Sequence, residues 1–147
     1  MKRFIALIAT VAFIATASLY GAEKVKLDGV KCPVSGKAVK AEHAVAYKGG
    51  KAYFCCPNCP KAFAKDTAKF AAKANHQLYR TGQFTLVACP LTKKTLNTAT
   101  KVEIGDKAVA FCCNGCKGKV TKAEDKIALV FADAAFAKGF KVTKAKK

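Results

Sequence analysis

Hydrophobic and polar positions alternate along two stretches of this chain and recur at helical spacing along two others. Val45 and Tyr47, then Ala52 and Phe54, flank Lys48-Gly49-Gly50-Lys51, which predicts a β-hairpin around a glycine turn. Val102 and Ile104, then Val109 and Phe111, do the same around Gly105-Asp106-Lys107. Downstream of each hairpin the period changes. Phe63, Phe70, Ala74 and Leu78 in one stretch, and Val120, Ile127, Phe131 and Ala135 in the other, fall at the intervals of one helical face and read as core packing. Asp66 stands where a helix N-cap belongs, and Thr121 with Glu124 forms a capping-box pattern in the corresponding place. Gly82 and Gly139 are the expected C-terminal stops. Phe84-Thr85-Leu86-Val87 reads as a strand. Val25, Leu27 and Val30 occupy the equivalent place earlier in the chain, so each half is expected to open on a short strand. The lysine-rich stretch 138–147 is expected to fray.

The two halves correspond because the chain repeats itself. Cys32, Cys55, Cys56 and Cys59 recur as Cys89, Cys112, Cys113 and Cys116, every one shifted by 57 residues, and Pro33, Val45, Phe54, Lys65, Lys69 and Gly82 find identical residues at the same shift. A tandem duplication of a unit of about 50 residues follows, and units that small need a disulfide or a metal to stabilise their limited cores. No Pro/Gly/Ser-rich linker separates the copies across 77–89, so the units are expected to pack on each other.

Ahead of the repeats lies a different kind of segment. Lys2 and Arg3 precede an apolar run over residues 4–19, with Ala15-Thr16-Ala17 as a small-x-small cleavage site and Ala22 as a later alternative. This is the pattern of a secretory signal peptide, which places the mature chain in a secreted or periplasmic, thiol-oxidising setting; a retained membrane anchor is the alternative. The expected organisation is a signal peptide over 1–22, a first metal-binding unit over 23–82, a second over 83–141 and a basic tail over 142–147.

Composition narrows the function further. With 147 residues, 52% of them hydrophobic, the chain has no room for a large enzyme scaffold. The formal net charge is +18, from 27 Lys+Arg against nine Asp+Glu, and Arg3 and Arg80 are the arginines among them. Arginine is the side chain that reads phosphates and guanine edges bidentately, so specific nucleic-acid recognition is not expected. The lysines instead favour anionic surfaces as a modifier of partner choice. No nucleophile with a histidine base, carboxylate pair or phosphate loop is present, and an enzyme is not expected.

The cysteines carry the chemistry. In each unit an early cysteine on a turn is followed by a 22-residue hairpin insert and two cysteines separated by three residues, Cys32, Cys55, Cys59 and Cys89, Cys112, Cys116. A turn before a hairpin and the start of the helix after it converge on one point, and a helix N-terminus favours the thiolate that binds metal. Such soft ligands suit Zn(II), Cu(I) or Cd(II) rather than Mg(II) or Ca(II). Cys56 and Cys113 are candidates for the fourth ligand of each site and are favoured to close it, although successive side chains diverge. His43 and His76 are weaker candidates for that place, since they align with Thr100 and Asp133, and they read as lone surface histidines. The expectation is two metal ions per chain, Zn or Cu(I), held by the eight cysteines.

Cys32-Pro33-Val34-Ser35-Gly36, followed by Tyr47-Lys48-Gly49-Gly50-Lys51-Ala52-Tyr53-Phe54-Cys55-Cys56-Pro57-Asn58-Cys59 and Phe63, resembles the TRASH and YHS families of heavy-metal-binding domains. The resemblance spans both units and implies an α+β fold of two tandem treble-clef-like units, with roles in metal trafficking, resistance or sensing. The YHS pattern carries an acidic residue where Cys32 stands and a cysteine where Ser35 stands, and the second unit replaces Ser35 and Gly36 by Thr92 and Lys93.

Two other readings compete. Eight cysteines in an exported chain could form a disulfide-stapled structural or interaction protein, but three of the four in each unit crowd into five residues, where few bridges are geometrically useful. Cys56-Pro57-Asn58-Cys59 and Cys113-Asn114-Gly115-Cys116 also match the Cys-x-x-Cys of thiol-disulfide oxidoreductases, but each unit is too short for a thioredoxin-like domain and leaves the other cysteines unexplained.

Overall fold

A computed structural model of the chain describes residues 25–143, so the signal-peptide expectation over 1–22 and the last four residues of the tail lie outside it. Among the described residues five helices and three two-stranded antiparallel sheets alternate, a mixed helix and strand fold. Strands β1 (Lys40–Tyr47) and β2 (Gly50–Phe54) form the first hairpin, followed by helices α1 (Asn58–Lys65) and α2 (Thr67–Arg80) and strand β3 (Phe84–Leu86). Strands β4 (Asn97–Ile104) and β5 (Lys107–Phe111) form the second hairpin, followed by α3 (Asn114–Thr121), α4 (Lys126–Phe131), α5 (Asp133–Gly139) and β6 (Phe140–Val142).

The hairpins repeat in register as well as in sequence. β4 and β5 begin and end 57 residues after β1 and β2, and both pairs carry a register shift at the same place, between Lys40 and Ala44 and between Asn97 and Lys101. The turns differ. Lys48 and Gly49 both have positive φ, the backbone of a type I′ turn, whereas the second turn has positive φ at Gly105 alone of its two loop residues.

A two-stranded sheet is marginal by itself, and α2 supplies what both hairpins lack. Gln77, almost fully buried, accepts from the Tyr53 N–H and donates to the Tyr53 and Lys31 carbonyls, and Gln83, just beyond the end of α2, makes the same reciprocal pair with Lys51. Across the repeat boundary, Tyr79 donates to the Ala108 carbonyl, Arg80 pairs with Asp106 and His76 bonds the Ile104 carbonyl. The first repeat's helix therefore holds both hairpins.

The main core crosses the same boundary. Leu78, Phe84, Ile104, Val109, Phe111, Val120, Val130, Phe131, Phe136 and Phe140 bury together, with Tyr47, Ala72 and Tyr79 of the first repeat packed against them. A smaller cluster of Cys32, Ala52, Phe54, Cys59, Phe63 and Ala74 belongs to the first repeat alone.

Several local expectations change. No strand forms over 25–30; that stretch is a turn, with an isolated bridge between Lys31 and Ala38. β3, expected to open the second unit, does form, and pairs with β6 at the far end of that unit. Burial of Phe84 and Phe140 selects that pairing, and it also orders the 138–143 segment expected to fray. Asp66 caps α2 by accepting from the Lys69 N–H, as expected. Thr121 and Glu124 form no capping box: Thr121 ends α3 with its hydroxyl on the Lys117 carbonyl, and Asp125 caps α4 through the Ala128 N–H. Gly82 has φ +76° just beyond α2, the left-handed stop, but Gly139 is required for another reason. A Cβ there would stand 2.9 Å from the Ala88 carbonyl oxygen and the Pro90 Cα.

The second repeat's helix also breaks where the first runs on. Ala132, with extended ψ, separates α4 from α5, and its repeat equivalent is Asn75 in the middle of α2. Buried Asn75 donates to the Phe131 carbonyl and to the Asp133 carboxylate, replacing a bond the break removes.

Candidate metal centres

Each early cysteine sits in a tight turn. The Cys32 N–H donates to the Lys37 carbonyl and the Gly36 N–H to the Cys32 carbonyl; Cys89, Lys94 and Lys93 repeat both bonds. That turn needs a residue with left-handed φ in its fifth place. The first repeat has Gly36 at +73°, and the second has Lys93 at +62°, a conformation costing a lysine roughly 1–2 kcal/mol.

The hairpin returns the chain to this turn, and the first helix after it begins beside it. The sulfurs of Cys32, Cys55 and Cys59 lie within 4.8 Å of one another, and so do those of Cys89, Cys112 and Cys116. Cys55 Sγ to Cys59 Sγ is 3.6 Å, as is Cys112 Sγ to Cys116 Sγ. In each triad the first and last cysteines are buried and the middle one is half-buried, so each group of three has one face toward solvent.

The vicinal cysteines stand at the edge of these triads. Cys56 Sγ is 3.5 Å from Cys59 Sγ and half-buried, whereas Cys113 is exposed, 3.7 Å from Cys112 Sγ. His43 and His76 join neither group. Half-buried His43 lies beside the Glu42 carboxylate. His76 is not a surface histidine: it is held between the Ile104 carbonyl and the edge of Phe131, because α2 packs against the second repeat.

Hydrogen bonding prepares the thiols unequally. Burial works to raise the Cys32 pKa, but the Ser35 hydroxyl and the backbone N–H groups of Ser35, Cys55 and Val34 outweigh it and bring the thiol to about 7. Cys89 is brought to about 7 in the same way, against burial, by the Thr92 hydroxyl and the N–H groups of Cys112, Leu91 and Thr92. Burial, then the neighbouring thiols, push Cys59 and Cys116 up to about 12. Cys56 and Cys113 are lowered, chiefly by the backbone N–H groups of Cys59 and Cys116 at the helix starts. One thiol of each triad is thus ready to ionise near neutrality, and the one at the helix start, Cys59 or Cys116, gives up its proton only when a cation compensates the charge.

Ser35 and Thr92 also touch the triads, contacts that the spacing of cysteines does not reveal. Ser35 Oγ lies 3.1 Å from Cys55 Sγ and Thr92 Oγ1 lies 3.2 Å from Cys112 Sγ. Their signal was present, since both are hydroxyl residues at the same place of the 57-residue repeat. In the second repeat Thr92, Lys93, Lys94, Thr95, Cys112 and Cys113 line a cleft at the exposed edge of the triad.

Among the described residues no helix is long and apolar enough to cross a membrane. Compared with known proteins, the chain matches no family model, no curated protein and no solved structure.

Proposed function

We propose that this chain is an exported, non-enzymatic heavy-metal-binding protein whose two repeats are treble-clef-like units of the TRASH/YHS kind, each holding one Zn(II) or Cu(I) ion through cysteine thiolates. One observation carries the reading: three convergent sulfurs are built twice, at the same repeat positions, on the same turn, hairpin and helix start. Four sulfurs about a zinc at ~2.3 Å would stand ~3.8 Å apart, close to the 3.6 Å separations of Cys55 from Cys59 and Cys112 from Cys116. The buried cysteines anchor the ion and the half-buried Cys55 and Cys112 lie on the side from which it enters and leaves. That arrangement fits sequestration, trafficking or sensing. Among the described residues Lys40 and Lys48 pair with Glu42 and Asp133, and the excess of lysines over acidic residues holds the protein near anionic surfaces.

Native mass spectrometry and elemental analysis of the full chain, purified from the exported compartment, test this. Two metal equivalents with the thiols protected from alkylation are expected. No metal together with four disulfides would replace the proposal by the disulfide-stapled reading.

A further inference from the structure

The two centres differ at one edge, and the difference points to a ligand. In the first repeat the turn residue with left-handed φ is Gly36, and Lys37 follows it; in the second that place is taken by Lys93, with Lys94 next. A glycine there would relieve the backbone, yet a lysine occupies the place, which puts at this edge an ammonium that the first centre lacks. Lys93 and Lys94 line the cleft that also contains Cys112, a member of the metal triad, and exposed Cys113. Two cations at the mouth of a three-sulfur centre with a solvent-facing side attract a soft donor that carries negative charge.

We propose that the second centre completes its coordination with an external anionic thiol, a small thiol bearing carboxylates, whose sulfur binds the metal and whose carboxylates are held by Lys93 and Lys94. Binding forms one metal–sulfur bond, releases the thiol proton to solvent and changes no oxidation state. The second repeat then accepts or hands over its metal as a mixed complex with a small thiol. This rests on the metal-binding reading above, and the test separates the two.

The experiment uses the full chain carrying Cys59→Ser to silence the first centre, loaded anaerobically with Co(II), whose thiolate charge-transfer and d–d absorption reports coordination. The loaded protein is titrated with mercaptosuccinate and, in parallel, with cysteamine, a thiol of opposite charge. Mercaptosuccinate should shift the d–d bands at about tenfold lower concentration than cysteamine. Lys93→Gly with Lys94→Gln should erase that preference while leaving the starting spectrum intact, since glycine suits the turn; Lys94→Gln alone should erase about half of it. No spectral change with either thiol while cobalt stays bound overturns the proposal and shows the fourth position filled from within, which Cys113→Ala would then reopen. Equal response to both thiols, or loss of protein-bound cobalt on desalting, also overturns it. Failure to develop charge-transfer absorption before any thiol is added would instead overturn the metal-binding reading itself.

Discussion

The first repeat owns a small private cluster around Cys32, Phe54, Cys59 and Phe63, whereas the second repeat's centre is built into the main core, where Cys89 and Cys116 pack with Phe111, Val120 and Phe131. Near-identical cysteine frameworks therefore sit on unequal foundations. The first repeat contributes a continuous α2 that braces both hairpins, and the second contributes most of the apolar mass and breaks its own helix to fit. A duplicated unit need not keep duplicate roles: once two copies share one core, each residue is selected for its place in the pair.

The largest effect should come from removing a ligand. Cys59→Ser and Cys116→Ser should each lose one metal equivalent, a sizeable share of a binding free energy on the order of 10 to 16 kcal/mol for that centre. Native mass spectrometry with hydrogen exchange would sharpen the comparison: Cys59→Ser should loosen β1, β2 and α1, and Cys116→Ser the whole fold. Loss of both metals from either single change would show one shared site and break the comparison outright.

Next is the core. Phe131 is fully buried among His76, Tyr79, Phe136 and Phe140, and Phe131→Ala should cost about 3–5 kcal/mol in denaturant unfolding, with protection lost in both repeats. Phe63→Ala should be felt mainly within the first repeat, where Phe63 packs on Tyr47 and Phe54. Equal, global loss from both would mean the small cluster is not separate.

Asn75→Ala should follow, at about 1–3 kcal/mol, because it leaves the buried Phe131 carbonyl without its donor. Unchanged stability would show that the helix break supports itself.

Smaller still is the turn. Lys93→Gly should stabilise the metal-free protein by up to about 1 kcal/mol, and Gly36→Ala, whose Cβ meets nothing within 4 Å, should destabilise it by a similar amount through φ alone. A melting-temperature change of the same sign in both would sink the strain argument.

The smallest effect is on pH. Burial against the second repeat, partly offset by its bond to Ile104, lowers the His76 pKa below its unfolded value. The folded state resists protonation, so the stability His76 confers is present above the unfolded pKa of ~6.5 and is lost as pH falls through the lower, folded one. His76→Gln, which keeps a donor for Ile104, should flatten the decline in melting temperature below pH ~6.5. An identical decline in both proteins would show that His76 does not carry it.

The sequence by itself determined what local spacing can carry. The 57-residue repeat is legible in the cysteine spacing alone, and both hairpins, the Asp66 cap and the convergence of Cys32, Cys55 and Cys59, like that of their counterparts, depend on residues within one unit, where turn chemistry and period fix geometry. Tertiary structure decided the rest. Whether Phe84–Leu86 pairs with an earlier or a later strand, why Gly139 has no side chain, where α4 ends and why His76 is held at an interface all depend on surfaces more than 20 residues away. Even Ser35 and Thr92 acquire their role only when the hairpin returns the middle cysteine to the turn. The physical reason is that a two-stranded hairpin and a short helix bury too little alone, so their final contacts are set by whatever apolar face the other copy presents.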